Sequence, residues 1–148
     1  MDKQRFFDDI MNICDWDSQG DDEKVLAPLI EHLSRLSDEE IFAFEDIMSE
    51  LLYALDTEKN FKAALKYDEL HSDDSFLYSR CVALINGADF YKKALNGKKN
   101  KILWSSEFKA ILYVPSRAWA KKHNDDEDNY PHIPPLSYET GSNAAAWS

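Results

Sequence analysis

Hydrophobic residues recur at steps of three and four along the first 123 residues, which is the spacing of one buried side of an α-helix. Ser37, Thr57 and Ser72 stand where a side chain can cap the start of a helix. The pattern predicts helical segments at residues 2–14, 25–33, 38–55, 58–70, 72–85, 88–95, 104–114 and 117–123. Residues 88–95 continue the helix before them and residues 117–123 are short, so we predict about six to seven helices. They form an all-α fold with a single compact domain over residues 1–123.

The segment 72–85 is predicted to be the central helix, because apolar residues cover more than one of its sides. Arg80 is the single full charge within it, and we expect it to form an ion pair with Asp73 or with a carboxylate of another helix. Asn86 and Gly87 then favour a left-handed turn that ends the helix. Two prolines limit the other helices: Pro28 fits only a first turn, and Pro115 must end or kink the run from residue 104.

Residues 124–148 lose the helical spacing and predict an irregular tail that is acidic and contains prolines. Five apolar or aromatic residues are its expected anchors on the domain: Tyr130, Ile133, Leu136, Tyr138 and Trp147. Whether the tail folds back on the domain is left open.

The formal net charge of −11 argues against nucleic acid as a direct partner, because phosphate binding needs a basic surface. The charge is uneven along the chain: residues 89–122 hold nine Lys and Arg against two acids, whereas the residues before them hold 21 acids against eight bases. With no apolar run of about 18 residues and no leader, we expect no membrane partner and a cytoplasmic location. Cys14 and Cys81 are predicted to be free and buried.

Two clusters invite a chemical interpretation. Residues 15–21 alternate oxygen-bearing side chains like a calcium loop, but Leu26 stands where such a loop needs a bidentate glutamate. His71, Ser72, Asp73, Asp74 and Arg80 could line a ligand or acid–base site, although serine and aspartates are also what a helix start prefers. We find no nucleophile or phosphate-loop motif, so we expect no catalytic residues, no metal site and no cofactor.

One part of the sequence resembles the bacterial domain-of-unknown-function family 4240 over roughly residues 1 to 120. Its most specific part is Ser72-Asp73-Asp74, followed by Phe76, Arg80 and Gly87. Other matching positions are Glu40, Ile41, Phe44, Ala63, Ala64, Leu84 and Ile85. The chain departs from the family pattern at Phe61, which replaces a tryptophan, and at His71, which replaces a cysteine. The resemblance implies an all-helical domain and no established catalytic residue; small acidic domains of this type also resemble immunity proteins.

The leading hypothesis is a non-enzymatic, intracellular protein that binds a protein partner: an immunity protein that covers the active site of a basic, nuclease-type toxin. The expected contact residues are carboxylates in three stretches: Asp15, Asp17, Asp21, Asp22, Glu23, Asp46, Glu50, Asp125, Asp126 and Asp128. The alternative is a small-ligand-binding or enzymatic domain that uses the cluster from Ser72 to Arg80. A regulatory adaptor is a third possibility, and the oligomeric state stays open.

Overall fold

The computed structural model describes residues 1–147, and they form an all-α structure, which confirms the predicted fold class. Eight α-helices follow one another along the chain: α1 Lys3–Ile13, α2 Asp22–Ser34, α3 Asp38–Leu55, α4 Glu58–Tyr67, α5 Asp73–Val82, α6 Ala88–Leu95, α7 Lys101–Ser105 and α8 Val114–His123. Four short 3-10 turns lie between or after them: Trp16–Ser18, Lys109–Tyr113, Glu127–Asn129 and Ala144–Trp147.

The chain divides into two compact units, and the division falls within α3. The first unit comprises Met1–Ile47 and Ala110–Pro135. In it α2 packs against α8 and α1. The rings of Phe6 and Phe44, both fully buried, lie 4.7 Å apart between centroids, so an aromatic pair joins α1 to α3 in this core.

The second unit comprises Met48–Lys109 and the chain from Leu136 onward. Here α7 packs against α4 and α5, and the last 3-10 turn packs against α4. Phe76 of α5 is fully buried among the rings of Phe61, Trp104 and Trp147. The prediction that this segment forms a much-buried helix is therefore confirmed.

Pro28 lies in the middle of α2, so its expected place in a first turn is wrong. A proline inside a helix removes one hydrogen bond, here to the carbonyl of Lys24, at a typical cost of about 3 kcal/mol. Lys24 and Pro28 both lie on the exposed side of α2, while Val25 and Leu29 are buried and hold the helix. Tertiary packing thus outweighs the local preference.

Three other boundaries differ from the prediction. The helix α4 ends at Tyr67 rather than at Leu70, which is 83% exposed and therefore not part of a buried helix side. The helix α5 ends at Val82 rather than near Ile85, and Gly87, with φ of 90°, caps the start of α6. The predicted helix over 104–114 is interrupted, because the backbone N–H of Phe108 donates to the carbonyl of Tyr78 on α5. The buried Phe108 side chain is held there, which the local spacing of hydrophobic residues does not reveal.

The segment after α8 is irregular, and its side chains are alternately half-buried and exposed. In the first unit Tyr130, His132 and Pro134 are half-buried, whereas Ile133 is 86% exposed. Ile133 is therefore not an anchor, and His132 takes that place, with its ring stacked on Phe42 at 4.6 Å. An extended chain turns successive side chains to opposite sides, which explains the difference.

Both cysteines are free and buried, as predicted. Burial raises the pKa of Cys14 and of Cys81 to about 12 in each case, so both thiols stay protonated at neutral pH. Neither has the character of a catalytic nucleophile.

Candidate functional site

The ten predicted contact carboxylates fall into three places. Five lie between α1 and the first turn of α2, and three lie just after α8. The remaining two, Asp46 and Glu50, lie on α3. The first eight belong to the first unit, and Glu50 belongs to the second.

Arg117 of α8 joins two acidic segments that are about 100 residues apart in the sequence. Its guanidinium lies 3.6 Å from a Glu23 oxygen and 3.6 Å from a Glu127 oxygen. The packing of α2 on α8, and of α8 on the 3-10 turn after it, brings about this arrangement. We call the resulting group the acidic surface: Asp17, Asp21, Asp22, Glu23, Asp125, Asp126, Glu127 and Asp128.

Several of these carboxylates also shape the local backbone. Asp21 caps α2 by accepting from the backbone N–H of Lys24, and Asp126 accepts from the backbone N–H of Asp128. Asp15, just outside the surface, is half-buried and accepts from the hydroxyl of Ser18 at 2.7 Å. Capping fixes the position of these charges on rigid elements.

The side-chain carboxylates of Asp17 and Asp128 are exposed and make no hydrogen bond or ion pair with any of residues 1–147. Their carboxylates are therefore available to a partner. Burial raises the pKa of Asp22, and the adjacent negative charge of Asp21 raises it further. The proximity of Asp21 thus makes ionisation of Asp22 less favourable in the isolated protein.

Asp46 has a different environment from the acidic surface. One of its oxygens lies 2.6 Å from Nε2 of His132, and the neighbouring Glu45 accepts from the Tyr130 hydroxyl at 3.1 Å. Burial raises the pKa of Glu45. These contacts attach the segment 130–135 to α3. The carboxylate of Asp46 therefore already has a partner, His132, within the first unit.

The second candidate, the cluster from His71 to Arg80, does not converge on one site. Ser72 caps α5 by accepting from the backbone N–H of Ser75, and the Ser75 hydroxyl accepts from Ser72 in return, as a capping box requires. Asp73 and Asp74 lie exposed in the first turn, where the helix dipole favours negative charge.

Arg80, by contrast, is fully buried. Its guanidinium donates to the carbonyls of Leu52 and Tyr138, at 2.9 and 3.0 Å, and to the Thr140 hydroxyl at 3.1 Å. None of these acceptors is a carboxylate, so the expected ion pair with Asp73 or another helix is wrong. The reason is that residues 138–140 bring neutral oxygens to the guanidinium from outside the helices.

Asp56, also fully buried, is the counter-charge with the largest effect on the pKa of Arg80. Burial lowers the pKa of Arg80, and the negative charge of Asp56 opposes that shift. The Asp56 carboxylate accepts from the backbone N–H groups of Gly141 and Asn143 and from the indole of Trp147. Both buried charges therefore hold the terminal segment of the second unit.

His71 lines a small polar cavity of about 270 Å³. Its Nε2 lies 2.9 Å from the carbonyl of Trp104, and its Nδ1 lies 3.1 Å from the Ser75 hydroxyl. Because the carbonyl can only accept, Nε2 donates to it, and Nδ1 faces the Ser75 hydroxyl. The Ser75 hydroxyl also accepts from the backbone N–H of Ser72 in the capping box, so these hydrogen bonds hold α7 beside the start of α5.

Within residues 1–147 no group of three or more His, Cys, Asp or Glu side chains is arranged to hold a metal ion. None of the helices in this range has the length and apolar character needed to cross a membrane.

Arg117 and Asp56 were not predicted to belong to a functional site. Arg117 stood out only as one of nine bases in a basic stretch, and Asp56 only as part of a capping sequence. Their partners are many residues away, so no local spacing could reveal them.

A family model described as "Protein of unknown function (DUF4240)" matches residues 1–121. No curated protein and no solved structure matches the chain. The match covers the helices α1 to α7 and most of α8, including the segment that carries the Ser-Asp-Asp motif. The chain belongs to the DUF4240 family.

Proposed function

We propose that the protein is a bacterial, cytoplasmic immunity protein, which binds a basic, nuclease-type toxin through the acidic surface and covers the toxin's active site. The observation that carries this proposal is the position of Arg117, which gathers Glu23 and Glu127 from two distant segments. Two carboxylates contact the guanidinium, and six more belong to the same two segments, so the two segments together carry a strong negative charge. Such a negative surface speeds association with a positive cleft and selects against acidic partners.

The electrostatics of Asp22 support a binding role. Burial and the charge of Asp21 both raise its pKa, so a nearby positive charge would stabilise the ionised form. A basic partner supplies that charge on binding. The carboxylates of Asp17 and Asp128 have no internal partner, so they can pair with cationic groups of a bound protein.

The enzymatic alternative rested on the cluster from Ser72 to Arg80. The guanidinium of Arg80 is enclosed while Asp73 and Asp74 lie exposed, so these groups cannot act together on one substrate. We therefore propose that the protein acts by binding and turns over no substrate, and that it binds nucleic acid at most through its toxin.

Co-expression with the product of the adjacent gene, followed by size-exclusion chromatography, tests the proposal. We expect a one-to-one complex that weakens as salt is raised, and inhibition of the partner's nuclease activity in the complex. An unrelated basic protein of similar size serves as the control and should not co-elute. Separate elution of the two gene products at low salt would contradict the proposal.

A further inference from the structure

A cavity of about 600 Å³ opens in the second unit between α4, the loop of residues 97–100 and α7. This volume lies within the range of small-molecule sites in proteins, roughly 300–1,000 Å³. It is distinct from the acidic surface, which belongs to the first unit. We call it the basic cavity.

The charge of the cavity is opposite to that of the whole chain. Five lysines line it and no acidic residue does: Lys59, Lys62, Lys66, Lys98 and Lys99. Lys62 has an ion pair with Glu58 at 3.0 Å. The other four have no ion pair with any of residues 1–147. A protein with a formal net charge of −11 thus gathers unpaired ammonium groups around one concave site.

Gly97 allows one of these lysines to lie against the backbone of the loop. Its φ is 72°, and a Cβ at this position would lie 2.8 Å from Nζ of Lys59. A larger residue would therefore be strained and would displace the ammonium group. The loop of residues 97–100 and Lys59 therefore pack closely together at the cavity.

The cavity also has aromatic walls. Tyr67 is 41% exposed although it is a large aromatic residue. Trp104 is only 3% exposed, stacks on Phe76 at 5.6 Å, and its indole N–H donates to no other residue within 1–147. A planar ring next to several cations is the combination that recognises a flat heterocycle carrying an anionic chain.

We propose that the basic cavity binds a nucleoside polyphosphate. Its phosphates pair with the ammonium groups of Lys59, Lys66, Lys98 and Lys99, and its base lies against Tyr67. A ligand of this size fits the volume, whereas a nucleic-acid strand would meet the negative charge of the rest of the chain.

Isothermal titration calorimetry without Mg²⁺ tests the proposal with three probes: ATP, tripolyphosphate and adenosine. We expect saturable one-site binding of ATP that weakens with salt, weaker binding of tripolyphosphate and the weakest binding of adenosine. No saturable binding of ATP would overturn the proposal. Tripolyphosphate binding as tightly as ATP would overturn the role given to the aromatic wall.

Two pairs of substitutions locate the site. The double variant Lys98→Gln and Lys99→Gln should weaken ATP binding by about tenfold or more, because it removes two phosphate partners. The control Lys92→Gln and Lys93→Gln makes the same change in net charge at exposed positions of α6 outside the cavity, and should change affinity by less than about twofold. Equal losses in both variants would show that only net charge matters and would overturn the proposal.

The variant Tyr67→Ala separates the ring from the phosphates. We expect it to weaken ATP binding and to leave tripolyphosphate binding unchanged, and unchanged tripolyphosphate binding serves as the control that the cavity is still folded. Unchanged ATP binding in this variant would contradict the position of the base.

Discussion

At the scale of single residues, the feature with the largest energetic cost is the burial of two charges, Arg80 and Asp56, which are both fully buried. A buried charge is tolerated only when hydrogen bonds replace its hydration. Both groups obtain those bonds from the terminal segment, through the carbonyl of Tyr138 and the backbone N–H groups of Gly141 and Asn143. The core of the second unit is therefore completed by residues that the helical pattern does not include.

Replacing Arg80 by methionine tests this dependence. We expect a loss of about 3 kcal/mol in the free energy of unfolding, because the acceptors on Leu52 and Tyr138 lose their donor and Asp56 loses its counter-charge. Hydrogen exchange of the backbone at Gly141 and Asn143 should become faster in the same variant.

The matched control for that experiment is Arg35→Met. Arg35 is exposed and pairs with Glu31 on the surface of α2, so its loss should cost less than about 1 kcal/mol. Similar unfolding energies for the two variants would contradict the structural role of Arg80.

The sequence predicted that Arg80 needs a partner but not which one. A charge in an apolar helix is visible in the sequence itself. Its acceptors lie 28, 58 and 60 residues away, in segments whose own spacing carries no information about α5. Ser72, whose partner is three residues away, was correctly predicted as a helix cap.

At the scale of elements, helix starts and faces were predictable because their causes are local. The helix α6 has the predicted bounds, and Thr57 caps α4 as expected. Failures occur where tertiary contacts decide, as in the break before Phe108 and in the register of the segment 130–135. In an extended segment, shifting the predicted register by one residue exchanges the buried side chains with the exposed ones.

That register can be tested by comparing Tyr130→Ala with Ile133→Ala. The ring of Tyr130 packs on Phe42 and Trp119, and its hydroxyl donates to the buried Glu45. We expect Tyr130→Ala to lower the free energy of unfolding by about 2 kcal/mol and Ile133→Ala by less than about 0.5 kcal/mol. Chemical denaturation measures both, and a larger loss for Ile133→Ala would refute this register.

At the scale of the whole molecule, folding redistributes the charge that the sequence shows as separate stretches. Lys121 and Lys122 of the basic stretch pair with Glu31 and Asp38, at 2.7 and 2.8 Å. Lysines of the acidic N-terminal half instead join Lys98 at the basic cavity. The uneven charge along the sequence therefore indicated that charge would select the binding partners. It did not indicate which residues form each surface.

The acidic surface was predicted in part. Its two segments were recognisable as clusters of carboxylates, whereas their proximity depends on Arg117 and on the packing of α2 against α8. Asp46 and Glu50 were included from sequence because they lie on the polar side of α3, and the contact of Asp46 with His132 could not be foreseen from that side alone.

The most direct test of the proposed function is the affinity of the adjacent gene product for the double variant Asp17→Lys and Asp128→Lys, measured by calorimetry at low salt. The matched control is Glu69→Lys and Glu107→Lys, which makes the same change in net charge at exposed acids of the second unit. We expect the first variant to lose about tenfold or more in affinity while the control stays within about twofold of the parent. Equal affinity of the parent and the Asp17 and Asp128 variant would contradict a binding role for the acidic surface.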